Sequence, residues 1–180
     1  MQFNVAQLLR QAIGATRHFD VDEPSGIIDD GLDLIGPIRG PVDLLRTQRG
    51  ILVSAHLSQV VRVACVRCLA EVDTSLTISI EEEFFPSIDM KTGAPIHWQP
   101  EDEVESSNLI DEKHTLDLRE VARQELLLAL PSHPLCRTDC AGLCPICGAD
   151  RNIEPCNCAD EALDPRWAVL SKLGRLADDE

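Results

Sequence analysis

Aromatic side chains are scarce in this 180-residue chain, at 3% of positions and with no Tyr. Base-stacking platforms for single-stranded RNA are therefore poorly supplied. Long apolar runs are missing too: nothing approaches the roughly 20 residues of a membrane-spanning helix. The opening MQFNVAQLLRQAIG has no basic region followed by a long apolar run, so it does not read as a signal peptide. Together these absences predict a soluble cytoplasmic protein with no membrane partner.

Catalytic signatures are equally lacking. There is no Gly-rich phosphate loop and no G-x-S-x-G elbow. His56, His97, His114 and His133 show no H-E-x-x-H or comparable spacing, and His18 falls in an expected strand. Pro134-Leu135 follow His133, so the H-x-E of the zinc deaminases is missing. Glu81, Glu82 and Glu83 are consecutive and point to alternating faces, which suits a solvated strand end better than a carboxylate pair. The expectation is a protein that is not an enzyme and has no small-molecule substrate.

Charge is present but one-sided, with a formal net of −15. Residues 81–112 hold ten acids against Lys91 alone. Residues 36–68 reverse the balance, with Arg39, Arg46, Arg49, Arg62 and Arg67 against Asp43 alone. Scattered arginines on a solvated sheet face are the plainer reading of that stretch. The same five are the candidates for RNA contact if RNA is touched directly.

Apolar periodicity gives an α+β fold: an antiparallel β-meander with a packed helix and a C-terminal cysteine-rich, zinc-binding segment. Asn4, with Gln7 three residues on, predicts a short N-terminal helix carrying Val5, Leu8, Leu9 and Ala12, stopped at Gly14. A strand is expected over 16–22. From Leu32 the even positions are apolar (Leu34, Ile38, Val42, Leu44) up to a turn at 47–50, with Pro37 and Pro41 marking an edge or bulge. From Ile51 the odd positions take over (Val53, Ala55, Leu57, Val61, Val63), and after Cys68 the even ones (Val72, Leu76, Ile78, Ile80, Phe84). Residues 86–113, with the acid cluster and no period, read as a long exposed connection. Asp117 and Glu120 predict a capped helix with Leu118, Val121, Ala122, Leu126 and Ala129 on its apolar side, ended by Pro131. Asp164-Pro165 predicts a last helix through Trp167, Leu170 and Leu173. The division expected is a sheet domain over 1–135 and a zinc-ribbon-like tail over 136–180.

Against these absences stand eight cysteines in close pairs: Cys65 and Cys68, Cys136 and Cys140, Cys144 and Cys147, Cys156 and Cys158. Thiolates two to four residues apart reach one metal from a tight turn, and soft sulfur selects Zn²⁺ in a tetrahedral cage. A cytosol keeps thiols reduced, which disfavours disulfides. The strand-like run after Cys68 argues against a redox pair, which sits at a helix N-terminus. Eight thiolates could make two four-cysteine sites, one site with spares, or none; the expectation is one or two structural zinc sites. The favoured pairing joins Cys65 and Cys68 with Cys136 and Cys140, and closes Cys144, Cys147, Cys156 and Cys158 locally, where loop entropy costs less. Its competitor joins Cys65 and Cys68 to Cys144 and Cys147.

Several segments resemble the bacterial YceD family, the large ribosomal RNA subunit accumulation proteins. Gly40-Pro41-Val42-Asp43-Leu44-Leu45-Arg46-Thr47 with Arg49-Gly50-Ile51 is similar to its sheet entry, and Val63-Ala64-Cys65-Val66-Arg67-Cys68-Leu69 to its central C-x-R-C-L. Leu126 to Pro131, Pro134-Leu135-Cys136, Asp139 to Gly148 and Asp164-Pro165-Arg166-Trp167 resemble its C-terminal signature. The resemblance implies a ribosome-biogenesis factor supporting accumulation of large-subunit ribosomal RNA. The partner would be that RNA, a large-subunit ribosomal protein or an assembly intermediate. No catalytic residues come with the resemblance. The alternatives are a zinc-dependent RNA-processing enzyme, which needs an open metal position, and a redox or zinc-reservoir switch.

Overall fold

A computed structural model describes residues 1–24, 26, 31–90, 92–99 and 104–158. In chain order the elements are β1 (Gln2–Asn4), α1 (Ala6–Leu9), β2 (Thr16–Pro24), β3 (Asp33–Arg46), β4 (Ile51–Ala64) and β5 (Glu71–Pro86). A 3₁₀ turn (Ser106–Asn108), β6 (Leu109–Ile110), β7 (Thr115–Asp117) and α2 (Arg119–Ala129) follow.

The meander forms as its periodicity predicts. β2, β3, β4 and β5 are sequential antiparallel neighbours, and the β4–β5 ladder runs unbroken from Ile51↔Phe84 to Ala64↔Glu71. The sheet as a whole is mixed, which corrects the purely antiparallel expectation. β6 joins its far edge parallel to β5, with Phe85 opposite Leu109 and Pro86 opposite Ile110. The chain reaches that edge after a long excursion rather than a hairpin, so the returning segment is free to align parallel.

Of the two prolines within β3, one is accommodated by its position. Pro37 lies where the register against β4 shifts between Ile35 and Arg39, a bulge and not an edge, since β2 pairs along the other side. Gln59, buried at an odd position, donates through Nε2 to the Ile35 and Gly36 carbonyls at 3.0 and 3.4 Å, next to the same bulge. Gly40 answers a different constraint: a Cβ there would lie 1.9 Å from the His56 carbonyl oxygen, and its φ is +150°.

Alternation divides the sheet into two chemistries. Val42, Leu44, Ile51, Val53, Leu57, Ile80 and Phe84 are buried on one face. α1, α2 and the small β1–β7 pair supply the other half of this core, through Leu8, Leu116, Leu118 and Leu126, all fully buried. Asp20, Asp22, Asp43, Glu71, Asp73 and Glu81 look outward from the opposite face with Arg39 and Arg62.

Three local expectations are revised. The N-terminal helix is a single turn preceded by β1, and Asn4 receives the Ala6 amide at 3.2 Å without being the cap residue. At α2 the cap position is Leu118; Asp117 takes the Arg119 amide at 3.1 Å, and Glu120 pairs with Arg123 instead of reaching back. The 86–113 connection carries the Ile88–Pro95 bridge, the 3₁₀ turn and β6, and is not uniformly irregular. The helix expected over 164–173 and the acids Glu101, Asp102 and Glu103 lie outside the described residues.

Candidate metal centres

Cys65 and Cys68 occupy the turn that joins β4 to β5, as the alternation on either side of them predicts. The turn is a knuckle: the Cys65 amide donates to the Ala70 carbonyl at 2.8 Å and the Leu69 amide to the Cys65 carbonyl at 2.9 Å. Cys144 to Ala149 repeat it bond for bond, with Cys144 N–H to Ala149 C=O at 2.8 Å and Gly148 N–H to Cys144 C=O at 2.9 Å. Both knuckles place a residue of positive φ after the second cysteine, Leu69 at +62° and Gly148 at +74°.

The eight cysteines gather in two groups of four: Cys65, Cys68, Cys136 and Cys140; and Cys144, Cys147, Cys156 and Cys158. Within each group the sulfurs all lie within 4.8 Å of one another. This is the favoured pairing, and the double C-x-x-C competitor is not formed. Cys65 and Cys140 Sγ are 3.9 Å apart, and Cys68 and Cys136 Sγ 3.6 Å. Sulfurs about 2.3 Å from a tetrahedral Zn²⁺ stand about 3.8 Å from each other, whereas a disulfide holds them near 2 Å. All eight are free thiols. Each group could hold a metal ion, and neither includes a histidine or carboxylate among the described residues.

Proton affinities within the groups point the same way. Backbone amides, that of Cys68 first, hold the Cys65 thiol down to about 6. Those of Cys147 and Ile146 do the same for Cys144, also about 6. The neighbouring sulfurs have the opposite effect on the last members: Cys140 and Cys68 push Cys136 up to about 12, and Cys147 and Cys144, with burial, push Cys158 up to about 12. Four thiolates at this spacing repel one another, and a divalent cation would remove that repulsion.

Residues outside the cysteines complete both centres. Asn152 Nδ2 donates to Cys140 Sγ at 3.4 Å, and an Arg151 guanidinium nitrogen lies 3.8 Å from Cys144 Sγ. Arg67 donates to the Cys140 carbonyl at 2.8 Å. The sequence carried a faint signal for Arg151 and Asn152, which lie between Cys147 and Cys156, but spacing alone does not assign them a sulfur.

The five arginines are spread along the sheet, and each has its own surroundings. Arg46 donates to the Thr47 and Gly50 carbonyls, closing the β3–β4 turn, and Arg49 stacks over Phe85 and Trp98 at 4.9 and 5.4 Å. Arg39 pairs with Asp22, and Arg62 with Asp73. Arg49 and Arg67 flank opposite ends of β4, whose fourteen residues span roughly 45 Å at the usual strand rise.

By class, then, this is a mixed-sheet protein with two four-cysteine centres, one set in the sheet's own hairpin. The chain belongs to the YceD family, described as large ribosomal RNA subunit accumulation protein YceD, which matches residues 53–174 and so spans both centres. Uncharacterized proteins of Mycobacterium tuberculosis and Mycobacterium bovis are each 35% identical over 162 residues, covering 87% of this chain and 72% of theirs. An uncharacterized protein of Mycobacterium leprae is 29% identical over 149 residues, covering 79% of this chain and 64% of its own. No solved structure matches the chain.

Proposed function

We propose that this protein is a non-enzymatic ribosome-biogenesis factor that supports accumulation of large-subunit ribosomal RNA, with Zn²⁺ as a structural clamp in each cysteine group. The family match over 53–174 carries the reading. The all-sulfur composition of both groups supports the structural role. Four thiolates complete a tetrahedral shell and leave no position for the reactive water that a zinc-dependent processing enzyme requires.

The partner is a large-subunit ribosomal protein, the RNA itself or an assembly intermediate containing both. Charge favours the protein component as the direct contact. The wet sheet face is predominantly acidic, and Arg39 and Arg62 on it are already paired with Asp22 and Asp73. Such a face repels phosphate and attracts basic polypeptide.

A gentle pull-down from lysate, with and without nuclease, tests this. Large-subunit precursor components should be captured and should release steeply as salt rises. Retention after nuclease assigns the contact to protein; loss assigns it to RNA. Salt-indifferent failure to capture either overturns the proposal. Metal analysis should give two zinc ions per chain with all eight thiols protected from titration.

A further inference from the structure

The two cysteine groups are built from separate ligands, yet the short segment 150–152 belongs to both. It lies between Cys147 and Cys156, inside the loop that the second group closes. From there Asn152 reaches the first group. Its Nδ2 donates to Cys140 Sγ at 3.4 Å, while its Oδ1 accepts from the Ala141 amide at 2.8 Å and from Arg137 at 2.6 Å. Asn152 therefore holds both the sulfur of Cys140 and the backbone just after it. Asp150 fixes the donor in turn, accepting from Asn152 Nδ2 at 2.7 Å and from its amide at 2.9 Å.

The neighbouring residue faces the other way. Arg151 sends its guanidinium toward Cys144 Sγ at 3.8 Å, and its amide donates to the Gly142 carbonyl at 3.0 Å. Gly142 sits against Arg67 of the first knuckle, close enough that a Cβ there would lie 2.9 Å from the Arg67 carbonyl oxygen. Leu143 adds a backbone hydrogen bond to that same carbonyl at 2.9 Å. One three-residue stretch thus supplies an N–H donor to a sulfur of each group.

We propose that Asn152 couples the two centres, so that metal held by Cys144, Cys147, Cys156 and Cys158 raises the affinity of Cys65, Cys68, Cys136 and Cys140 for theirs. The inference rests on the reading of both groups as metal centres. Its physical basis is pre-organisation. Closing the second centre fixes the loop, the fixed loop aims the Asn152 amide at Cys140, and an N–H donor stabilises that sulfur as a thiolate. Linkage makes the effect reciprocal, because filling the first centre must favour the second by the same factor.

Zinc titration of the full chain against a competing chelator tests the coupling. The wild-type chain should take up two ions, and Cys156→Ser identifies the step that belongs to the second centre by abolishing it. Asn152→Ala keeps every ligand and should weaken the first centre about 10- to 100-fold, the usual effect of losing a hydrogen bond behind a metal ligand. Cys156→Ser should weaken the first centre by a similar factor, and adding Asn152→Ala to it should cost little more. Asn152→Asp retains the acceptor for Ala141 and Arg137 but removes the donor, and should weaken the first centre even where Asn152→Ala misfolds. Wild-type affinity at the first centre in both Asn152 variants, or in Cys156→Ser, overturns the coupling. A wild-type chain that takes up no metal overturns the reading beneath it.

Discussion

The two knuckles share a hydrogen-bond pattern but differ in what surrounds them. Cys65 to Ala70 is the closed end of a long hairpin, and Ala64↔Glu71 already brings its flanks together. Cys144 to Ala149 has only the Leu143–Asp150 bridge beneath it, and no helix or extended strand is described beyond Ala129. The first group also has apolar neighbours in Val72, Leu135 and Leu143, packed on Cys65, Cys68 and Cys140. A turn held by a ladder keeps its shape without metal. A turn in a short, polar segment lacks apolar area to bury and would need a bound metal to hold its shape.

Chelation should break the comparison most visibly. Structural zinc supplies about 10–16 kcal/mol of apparent binding energy in small zinc-dependent peptides. Its removal should erase amide protection across 132–158 while the β4–β5 ladder stays protected, as hydrogen exchange would show. Loss of both together would mean that the sheet depends on the metal as much as the tail does. Phe84→Ala attacks the opposite side: a fully buried ring in β5 is lost, at about 3–5 kcal/mol in denaturant melts. The second centre should still bind its metal in that variant under native conditions.

Exchanging the residues after the second cysteines sharpens the comparison further. Gly148→Leu places a branched side chain at φ +74° and should cost about 1–2 kcal/mol. Leu69→Gly relieves the same conformation in the first knuckle, where Leu69 is 65% exposed and loses little packing. It should be neutral or stabilising by up to about 1 kcal/mol.

The smallest effect lies away from both knuckles. Burial opposes ionisation of Asp117, but hydrogen bonds from Arg119 and Gln2 outweigh it and hold the carboxyl at about 2. The unfolded value is about 3.9, so this contribution is complete above about pH 5 and fades as the pH falls through 2. Asp117 is partly exposed, so Asp117→Asn should cost under about 1 kcal/mol near neutral pH. It should also flatten the acid side of the stability curve.

How much of this was legible in the sequence depends on whether a signal was periodic. Strands of fourteen and sixteen residues announce themselves by alternation, and β3, β4 and β5 follow it closely. β1, β6 and β7 have two or three residues each, too few for a period, and exist because distant partners lie beside them. The second cysteine group was readable because closing a loop of about a dozen residues costs little entropy, whereas the first group closes one of about seventy and had no such signal. The fate of the arginines was not readable. Charge is visible in a sequence, but Asp22 meets Arg39 and Asp73 meets Arg62 only through strand register. Asn152 was hidden for the same reason, since its acceptor is twelve residues away in the other group.

The length of β4 has a practical consequence. A stiff ribbon of roughly 45 Å separates the cysteine knuckle from the Arg49–Phe85–Trp98 stack, which makes the sheet a molecular ruler. Photo-cross-linkers placed at the two ends would sample neighbours that no single small protein could touch at once. Identical catches from both would therefore describe a partner at least as long as the sheet, and different catches a scaffold with two addresses.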